Sequence, residues 1–295
     1  MKLRSALLLA LLALFIAAAA GCAAPAAGGD TNDDAASEMR IVSLMPSNTE
    51  ILFALGLGEA LVGVTDYCNY PPELEEAVAA GRIQRVGDAF NVNEELLISL
   101  EPTLVVFGYS TEAAQNLAER LNDLGINTEI IFPQTVQQTM ESIIRLGDLT
   151  GSEERAAALV AEMEAAFAEA AAATAELPAE DRPKMLMLLD LDSLYVAGTG
   201  TLENELIEAA GGVNIVETAG YPQISEEAII AGNPDIILCS FPFKDRILSE
   251  KEAWKELTAV QAEAVYDLEG DLINRPGPRL VEGLKLMQFI IHPGK

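Results

Sequence analysis

The amino-acid sequence predicts an α/β protein of two lobes joined by one long helix, and three observations lead to this fold class. Short apolar runs alternate with helical patterns over most of the chain, which indicates parallel sheets with crossover helices. A pattern of capped helix, proline and apolar run occurs at residues 93–106 and again at residues 225–238. Between the two copies, residues 153–177 are rich in alanine and contain neither glycine nor proline.

The repeated pattern starts with a helix-capping residue and two glutamates. The first copy reads NEELLISLEPTLVV and the second reads SEEAIIAGNPDIIL. Asn93 and Ser225 are good N-caps, and acids in the first turn interact favourably with the helix dipole. The proline ends each helix, and the branched apolar residues predict a buried strand. Helix stability and solubility explain the acids of either copy alone, but the duplication makes a functional role a competing explanation.

The first lobe is predicted to span residues 39–150. It opens with a strand at residues 40–44, a turn and helix N-cap at residues 46–50 and an apolar helix at residues 51–55 that two glycines end. Further strands are predicted at residues 61–64, 104–107 and 128–131, and further helices at residues 112–124 and 136–149.

A long helix is predicted within residues 151–178. From Ser152 to Glu176 it would extend about 37 Å at the rise per residue of an α-helix. Because prolines at 178 and 183 bracket its end and strands alternate with helices again afterwards, we interpret it as a stiff connector between lobes. A surface helix of the first lobe is the alternative.

The second lobe is predicted to span residues 179–295. Its strands are predicted at residues 185–189, 236–239 and 264–268, and its helices at residues 202–210, 251–257 and 279–291 in addition to the second repeated helix. The predicted fold class is therefore α/β, with two Rossmann-like lobes whose parallel sheets are joined by a single long rigid helix.

The N-terminus has the pattern of a secretory signal peptide over residues 1–21. Two basic residues precede an apolar stretch that is too short to span a membrane comfortably, and small residues stand directly before Cys22. This pattern resembles the lipobox of bacterial lipoproteins, in which the cysteine is acylated. It predicts an extracytoplasmic protein that is held at the bacterial membrane through its lipid anchor only. An ordinary secretory signal is the alternative, and residues 22–38 are predicted to form a flexible tether.

The formal charge of -28 excludes a nucleic-acid-binding protein, because a phosphate backbone requires a basic surface. The single histidine, His292, is predicted to lie at a helix end, so it gives no support for a Ser-His-Asp triad, and one histidine cannot form a histidine-rich metal site. Neither a phosphate-binding loop nor a full dinucleotide-binding motif occurs. We therefore expect a monomeric binding protein without enzymatic activity, metal or cofactor.

Two cysteines remain besides Cys22, one in each predicted lobe. Cys68 follows a strand of the first lobe, and Cys239 ends a strand of the second. A disulfide between the lobes is possible outside the cytoplasm, but it would pin the lobes together. Two unpaired, buried thiols are the favoured interpretation.

Aromatic and polar side chains collect in the loops between predicted strands and helices. In an open α/β sheet, ligands bind beyond the carboxyl ends of the strands, so two facing lobes would line a cleft with these residues. Tyrosine suits this task because it offers a broad apolar face and one hydrogen bond. The residues concerned are Tyr67, Tyr70, Phe90, Tyr195, Tyr221, Asp271 and Arg275. For each tyrosine, a half-buried loop anchor is the alternative.

Three stretches resemble one protein family. They read IVSLMPSNTEIL at residues 41–52, GVTDYCNYPP at residues 63–72 and LEPTLV at residues 100–105. Together they resemble the cobalamin-binding branch of the iron-siderophore/cobalamin (helical-backbone, class III) periplasmic binding proteins, which are the receptors of ABC importers. The similarity extends over nearly the whole chain after the tether. The PSNTE and DYxxYPP elements are fairly specific for the cobalamin-binding branch, whereas the Pro-x-Leu-Val element occurs across the superfamily.

The resemblance implies a rigid interlobe helix, small lobe closure, and a corrinoid carried as transported ligand to an ABC permease and its ATPase. It also implies that one glutamate of each lobe, Glu95 and Glu227, contacts arginines of the permease. The family's ligand-contacting positions match Pro46, Tyr70, Tyr195, Tyr221, Asp271 and Arg275. Where relatives often carry Trp or Phe before the first Glu-Glu helix, this chain has Ala89 followed by Phe90, which is also a predicted ligand contact. Tyr221 stands where relatives often have tryptophan.

Other functions stay open at this point. A ferric-siderophore or haem receptor of the same fold is the main alternative: siderophore sites favour clustered arginines, whereas haem needs an axial Tyr, His or Met. A secreted α/β enzyme is disfavoured by the missing nucleophile and base. A receptor that senses without transporting is a further alternative.

Overall fold

The computed structural model describes residues 39–88, 91–175 and 177–292, which contain two five-stranded sheets. The predicted signal peptide, the tether with Cys22, and Phe90 lie outside the described residues. Within the described part of the chain, no helix is long and apolar enough to cross a membrane.

The first sheet is wholly parallel, as predicted, with the strand order β3-β2-β1-β4-β5. Its strands are β1 (Ile41–Ser43), β2 (Leu61–Val64), β3 (Gln84–Arg85), β4 (Leu104–Phe107) and β5 (Asn127–Ile130). The helices of this lobe are α1 (Pro46–Ala54), α2 (Pro72–Ala79), α3 (Glu94–Ser99), α4 (Glu112–Asp123) and α5 (Val136–Thr150). Central strands β1 and β4 are buried along their whole length, which explains their unbroken apolar sequences.

Two details of the first lobe differ from the sequence-based prediction. Helix α1 begins at Pro46, so the predicted turn at residues 46–50 is already helical. Proline is favourable in the first helical turn because its missing N–H would have no helical partner there. Helix α2, which also has proline in its first turn, was not predicted.

The predicted long helix is α6 (Glu153–Thr174), and it packs against both lobes along one face. Ala156, Met163 and Ala170 are fully buried at seven-residue spacing. At its start, the guanidinium of Arg155 donates a 3.0 Å hydrogen bond to the backbone carbonyl of Leu55 in the first lobe. One apolar core cluster contains residues of both lobes and of α6, so the connector is part of a continuous core.

The second sheet is mixed, which corrects the prediction that both sheets are parallel. Its central strand β6 (Lys184–Asp190) pairs in parallel with β8 (Val213–Asn214) and β9 (Ile236–Cys239), and β9 pairs in parallel with β10 (Val265–Asp267). Strand β7 (Tyr195–Val196) instead runs antiparallel to β6. Residues 191–194 form the turn between them, which is too short for the crossover that parallel strands require.

The second lobe's helices are α7 (Leu202–Ala209), α8 (Glu226–Gly232), α9 (Lys244–Glu250), α10 (Thr258–Gln261) and α11 (Leu280–Ile291). Where a helix is predicted over residues 251–257, the structure has only the short 3-10 helix Glu252–Trp254. The Trp254 side chain is fully buried and therefore serves packing. Cys68 and Cys239 are free and buried, as the favoured interpretation predicts.

The two repeated segments have the same local structure. The side chain of Asn93 accepts a hydrogen bond from the Leu96 amide at the start of α3, and Ser225 caps α8 in the same way. At the other end, Glu101 and Asn233 adopt positive φ angles of 49° and 41° directly before the prolines. A left-handed residue followed by proline ends a helix abruptly, so both copies turn at once into their buried strands.

Candidate ligand-binding site

The predicted ligand-binding residues follow the carboxyl ends of strands in both lobes. Tyr70 lies in the loop after β2, and Asp271 and Arg275 lie in the loop after β10. Tyr195 begins the antiparallel strand β7, so it lies at the same edge of the sheet as the carboxyl end of β6. Loops at this edge form the ligand crevice of open α/β sheets.

Tyr195 and Tyr221 are adjacent in the second lobe. The loop that carries Tyr221 is paired with β7, through a hydrogen bond from the Val196 amide to the Pro222 carbonyl and a bridge between Tyr195 and Gln223. The two residues are 41% and 46% exposed. Two half-exposed tyrosine faces at one strand edge form a surface on which a flat apolar ligand can stack.

A buried acid fixes the hydroxyl of Tyr221. That hydroxyl donates a 3.1 Å hydrogen bond to the Glu203 carboxylate of α7. Burial raises the pKa of the Glu203 carboxyl above its ordinary value. Burial, together with the nearby Glu203 charge, also raises the pKa of Tyr221, which therefore stays a neutral donor.

The loop after β10 is tied to the first lobe by a buried ion-pair cluster. The Glu50 carboxylate of α1 accepts two hydrogen bonds of 2.8 Å from the Arg279 guanidinium and one of 2.9 Å from Arg275. The Glu50 side chain is 2% exposed, Arg279 is 9% exposed and Arg275 is 13% exposed. Hydrogen bonding to Glu50 raises the pKa of Arg279.

The ion-pair cluster includes three more residues of the strand-end loops. Asn69 accepts a 2.7 Å hydrogen bond from Arg275 and donates a 3.3 Å hydrogen bond to Asp271. Arg275 also pairs with Asp271 at 2.9 Å. The guanidinium of Arg279 lies 4.0 Å from the centre of the Tyr70 ring, a cation–π contact. The structure thus brings together Tyr70, Asp271 and Arg275 through residues that the sequence-based prediction missed.

Further aromatic side chains at the same edge were also missed. Tyr109 follows β4 and packs on Phe132, which follows β5, with ring centroids 5.7 Å apart. Phe241 follows β9 and is 55% exposed. Burial, and secondarily the neighbouring Tyr67, raise the pKa of Tyr109. Their position directly after apolar strands is a signal from which they could have been predicted.

Pro46 is the predicted ligand residue with the least accessible surface. It lies after β1 as expected, but it is buried in the first turn of α1. Phe90 and Cys22 lie outside the described residues. The contacts of these three residues with a ligand or a lipid remain predictions.

A cavity of about 770 Å³ lies behind the ion-pair cluster and is lined mainly by the helices α1, α2, α6 and α11. Glu50, Tyr70 and Arg279 contribute to its wall, whereas Asp271, Arg275 and the second-lobe tyrosines do not. The ion-pair cluster therefore borders this helical cavity as well as the strand-end loops.

Arginines near the carboxyl edges are engaged with carboxylates of the chain itself. Arg85 pairs with Glu75 at 2.6 Å, and Arg246 pairs with Asp192 at 2.7 Å. Together with Arg275 and Arg279 in the ion-pair cluster, these arginines are charge-compensated. Among the described residues, no group of three or more His, Cys, Asp or Glu side chains could hold a metal ion.

The two glutamates predicted to dock on a permease occupy equivalent places. Glu95 and Glu227 are the second residues of α3 and α8, and both side chains are exposed. Their predecessor in the first copy, Glu94, pairs with Arg120 at 2.7 Å. In the part of the chain that the structure describes, neither Glu95 nor Glu227 forms an ion pair, which leaves both carboxylates open to an external cation.

Comparison with known proteins gives consistent matches over most of the chain. A family model described as periplasmic binding protein matches residues 41–272. An uncharacterised ABC transporter substrate-binding lipoprotein, YvrC of Bacillus subtilis, is 33% identical over 275 residues, which cover 89% of this chain and 85% of that protein. The vitamin B12-binding protein of Salmonella typhimurium is 27% identical, with 83% of this chain and 87% of that protein covered.

A solved structure with the same fold belongs to a protein named for binding haem. The periplasmic haem-binding protein RhuT from Roseiflexus, in its apo form, matches with a TM-score of 0.73 at 26% identity. The match covers 86% of this chain and 98% of that chain. The similarity therefore includes both a vitamin B12-binding and a haem-binding protein, and the fold alone does not choose between these ligands.

Proposed function

Since the chain belongs to the periplasmic binding protein family, we propose that it binds a corrinoid, cobalamin, between its two lobes. It is a binding protein rather than an enzyme, and such proteins work with the permease and ATPase of an ABC transporter. The ligand is the transported substrate and not a resident cofactor. The proposed role is delivery of cobalamin to the permease of an importer.

The charge compensation of the cleft supports cobalamin over an anionic ligand. The corrin ring carries neutral amide side chains, which need hydrogen-bond partners but no counter-ions. Asp271, Arg275 and Asn69 offer such partners within the ion-pair cluster, where both arginines already have carboxylate partners. A ferric siderophore or the propionates of haem would need uncompensated cations, and the arginines at this edge are already paired.

The exposed aromatic side chains supply the apolar part of the site. Tyr195 and Tyr221 in the second lobe, with Tyr70 and Tyr67 in the first, present faces of 36% exposure or more. Large ligands of mixed polarity are held by such surfaces with a few well-placed polar groups. The same tyrosines favour haem as the second candidate, because a tyrosine can serve as its axial ligand.

The proposed docking uses Glu95 and Glu227. Each is an exposed carboxylate at a helix start, and the two helices belong to different lobes. Because α6 and the shared core hold the lobes in one arrangement, the two acids would meet a permease as a fixed pair. Charge-assisted pairs with arginines would orient the complex. Acylation of Cys22 is the proposed anchor that keeps the protein at the membrane.

Ligand titration with matched variants tests the proposal. The purified protein and Tyr195→Ala, Tyr221→Ala and Phe289→Ala variants are titrated with cyanocobalamin and, separately, with haemin. Loss of one stacking tyrosine should weaken cyanocobalamin binding by about tenfold. Phe289 is 70% exposed on α11 and serves as the control. The Phe289→Ala variant should bind cyanocobalamin with the affinity of the wild type. Tighter binding of haemin, with a shift of its absorbance spectrum, would favour the second candidate instead.

A further inference from the structure

Glu50 is one of the side chains that join the two lobes. It belongs to α1 of the first lobe, yet its two oxygens accept hydrogen bonds from Arg275 and Arg279 of the second lobe. Glu50 is the last residue of the PSNTE motif. Its burial is nearly complete, at 2% exposure.

This geometry is sensitive to the arrangement of the lobes. The Arg279 guanidinium binds Glu50 through two parallel hydrogen bonds, and such a pair fixes both distance and orientation. A small displacement of one lobe would leave buried charges without partners, which is costly in a poorly solvated environment. Glu50 therefore favours one arrangement of the two lobes.

The two arginines that bind Glu50 also contact residues of the proposed ligand site. Arg279 lies against the ring of Tyr70. Arg275 reaches Asp271 and Asn69, so the loops of both lobes meet at its guanidinium. Removal of Glu50 would release both arginines and thus the groups that they hold.

Glu50 also compensates the charge of the two arginines. Asp271 pairs with Arg275 at 2.9 Å, and the third acid, Glu269, lies 3.6 Å from Arg279 and is 65% exposed. Without the Glu50 charge, the buried Arg279 guanidinium would keep only this more distant, exposed partner, so positive charge beside the proposed ligand site would be less well compensated.

We infer that Glu50 is a positioning and specificity-determining residue, which fixes the arrangement of the two lobes and compensates the buried arginines beside the proposed ligand site, so that an uncharged, amide-bearing ligand is preferred over an anionic one. This inference rests on the proposed function for the identity of the ligand. The effect on the strand-end loops can be measured without any ligand.

The test uses Glu50→Gln, which removes the charge and keeps the shape. The full chain is purified and titrated with cyanocobalamin and with haemin, and hydrogen exchange of the ligand-free protein is followed in residues 65–72 and 268–279. Cyanocobalamin affinity should fall by about tenfold or more, as expected for loss of charge-assisted hydrogen bonds. The affinity ratio should shift towards haemin, and exchange should accelerate in both segments.

The control is Glu129→Gln, which removes the acid of the Arg145 ion pair on strand β5 and should leave both measurements unchanged. If Glu50→Gln does not fold, the same measurements are made on Asn69→Ala. Asn69 is exposed, and its side chain links Arg275 with Asp271. The substitution should weaken cyanocobalamin binding severalfold. The inference would be overturned if folded Glu50→Gln protein had wild-type ligand affinities and wild-type hydrogen-exchange rates. If that variant does not fold, the same result for Asn69→Ala would overturn it. If the wild type binds no cyanocobalamin, the proposed function is wrong. The positioning role of Glu50 is then tested by hydrogen exchange alone, which should still be faster in both segments of the Glu50→Gln protein.

Discussion

Glu50 and Arg279 are joined by two hydrogen bonds of 2.8 Å, although they lie 229 residues apart and in different lobes. The pair is buried beneath the loops that carry the proposed ligand-binding residues. The same arginines that bind Glu50 across the lobes also contact Tyr70 and Asp271, so the pair contributes both to stability and to the position of the proposed ligand-binding residues.

The first prediction concerns the stability that this pair confers. Arg279→Ala should lower the free energy of unfolding by about 3–5 kcal/mol, because it leaves the buried Glu50 carboxylate with one partner fewer. Urea unfolding measures this change. Arg145→Ala, which breaks an ion pair with a half-exposed arginine, is the control and should leave the midpoint unchanged. Equal midpoints for the two variants would contradict the prediction.

The second prediction separates docking from ligand binding. Joint replacement of Glu95 and Glu227 by alanine should abolish uptake of labelled cobalamin in cells that depend on this protein, and ligand affinity should stay unchanged. Both side chains are exposed and lie at helix starts rather than in the strand-end loops.

The matched control for docking is the double variant Glu94→Ala and Glu226→Ala, because these acids precede the docking pair directly in both repeats. Its uptake should remain near that of the wild type. Docking through Glu95 and Glu227 is refuted if both double variants lose uptake equally, or if the docking variant also loses ligand affinity.

The third prediction concerns the pH dependence of stability. Burial raises the folded-state pKa of Glu203 above its ordinary value of 4.5, so the folded protein holds this proton more tightly than the unfolded chain. The stability that this carboxyl contributes is complete below pH 4.5 and is lost as the pH rises towards the folded-state pKa.

The Glu203→Gln side chain cannot ionise, so this variant should be more stable than the wild type at pH 7. The difference should be about 1.4 kcal/mol for every unit by which the folded-state pKa of Glu203 exceeds its value in the unfolded chain. At pH 4 the two proteins should differ little. Chemical unfolding at both pH values measures the effect, with the exposed Glu141→Gln as control. A difference of the same size at both pH values would show that ionisation of Glu203 plays no part.

The fourth prediction concerns the cysteines. Burial, and secondarily the Asp267 charge, raise the pKa of Cys239 to about 12, and Cys68 is fully buried next to two threonine hydroxyls. In a Cys22→Ser background, a thiol reagent should therefore label neither cysteine until the protein unfolds. An added Glu119→Cys on the exposed face of α4 is the positive control. Labelling of the native thiols as fast as this control would disprove the prediction.

The alternation of strands and helices could be read from the sequence because it is local. Apolar runs such as residues 104–107 are buried on both sides in a parallel sheet and therefore stand out. The repeated caps were predictable for the same reason, since Asn93 and Ser225 act within one helical turn. Strand β7 was not predicted, because the two residues Tyr195 and Val196 are too few to show the apolar alternation of a strand. The short turn before them nevertheless indicates an antiparallel pair.

The ion-pair cluster could not be predicted in this way. Glu50 meets Arg275 and Arg279 only because two lobes fold against one helix, and no local pattern encodes a contact across more than two hundred residues. Asp271 and Arg275 were identified as ligand-binding residues, yet their engagement with Glu50 and Asn69 depends on the arrangement of the lobes. The aromatic residues after β4, β5 and β9 could have been predicted one by one from their place after apolar strands, but the contact between Tyr109 and Phe132 depends on strand order.

Calorimetric titration of the wild-type protein with cyanocobalamin is the most direct measurement of the central claim. We expect one ligand to bind per chain, with a dissociation constant in the micromolar range or below, corresponding to about -8 kcal/mol or better. The absence of any heat change at micromolar cyanocobalamin, from a protein shown to be folded, would contradict the proposal that this chain is a corrinoid receptor.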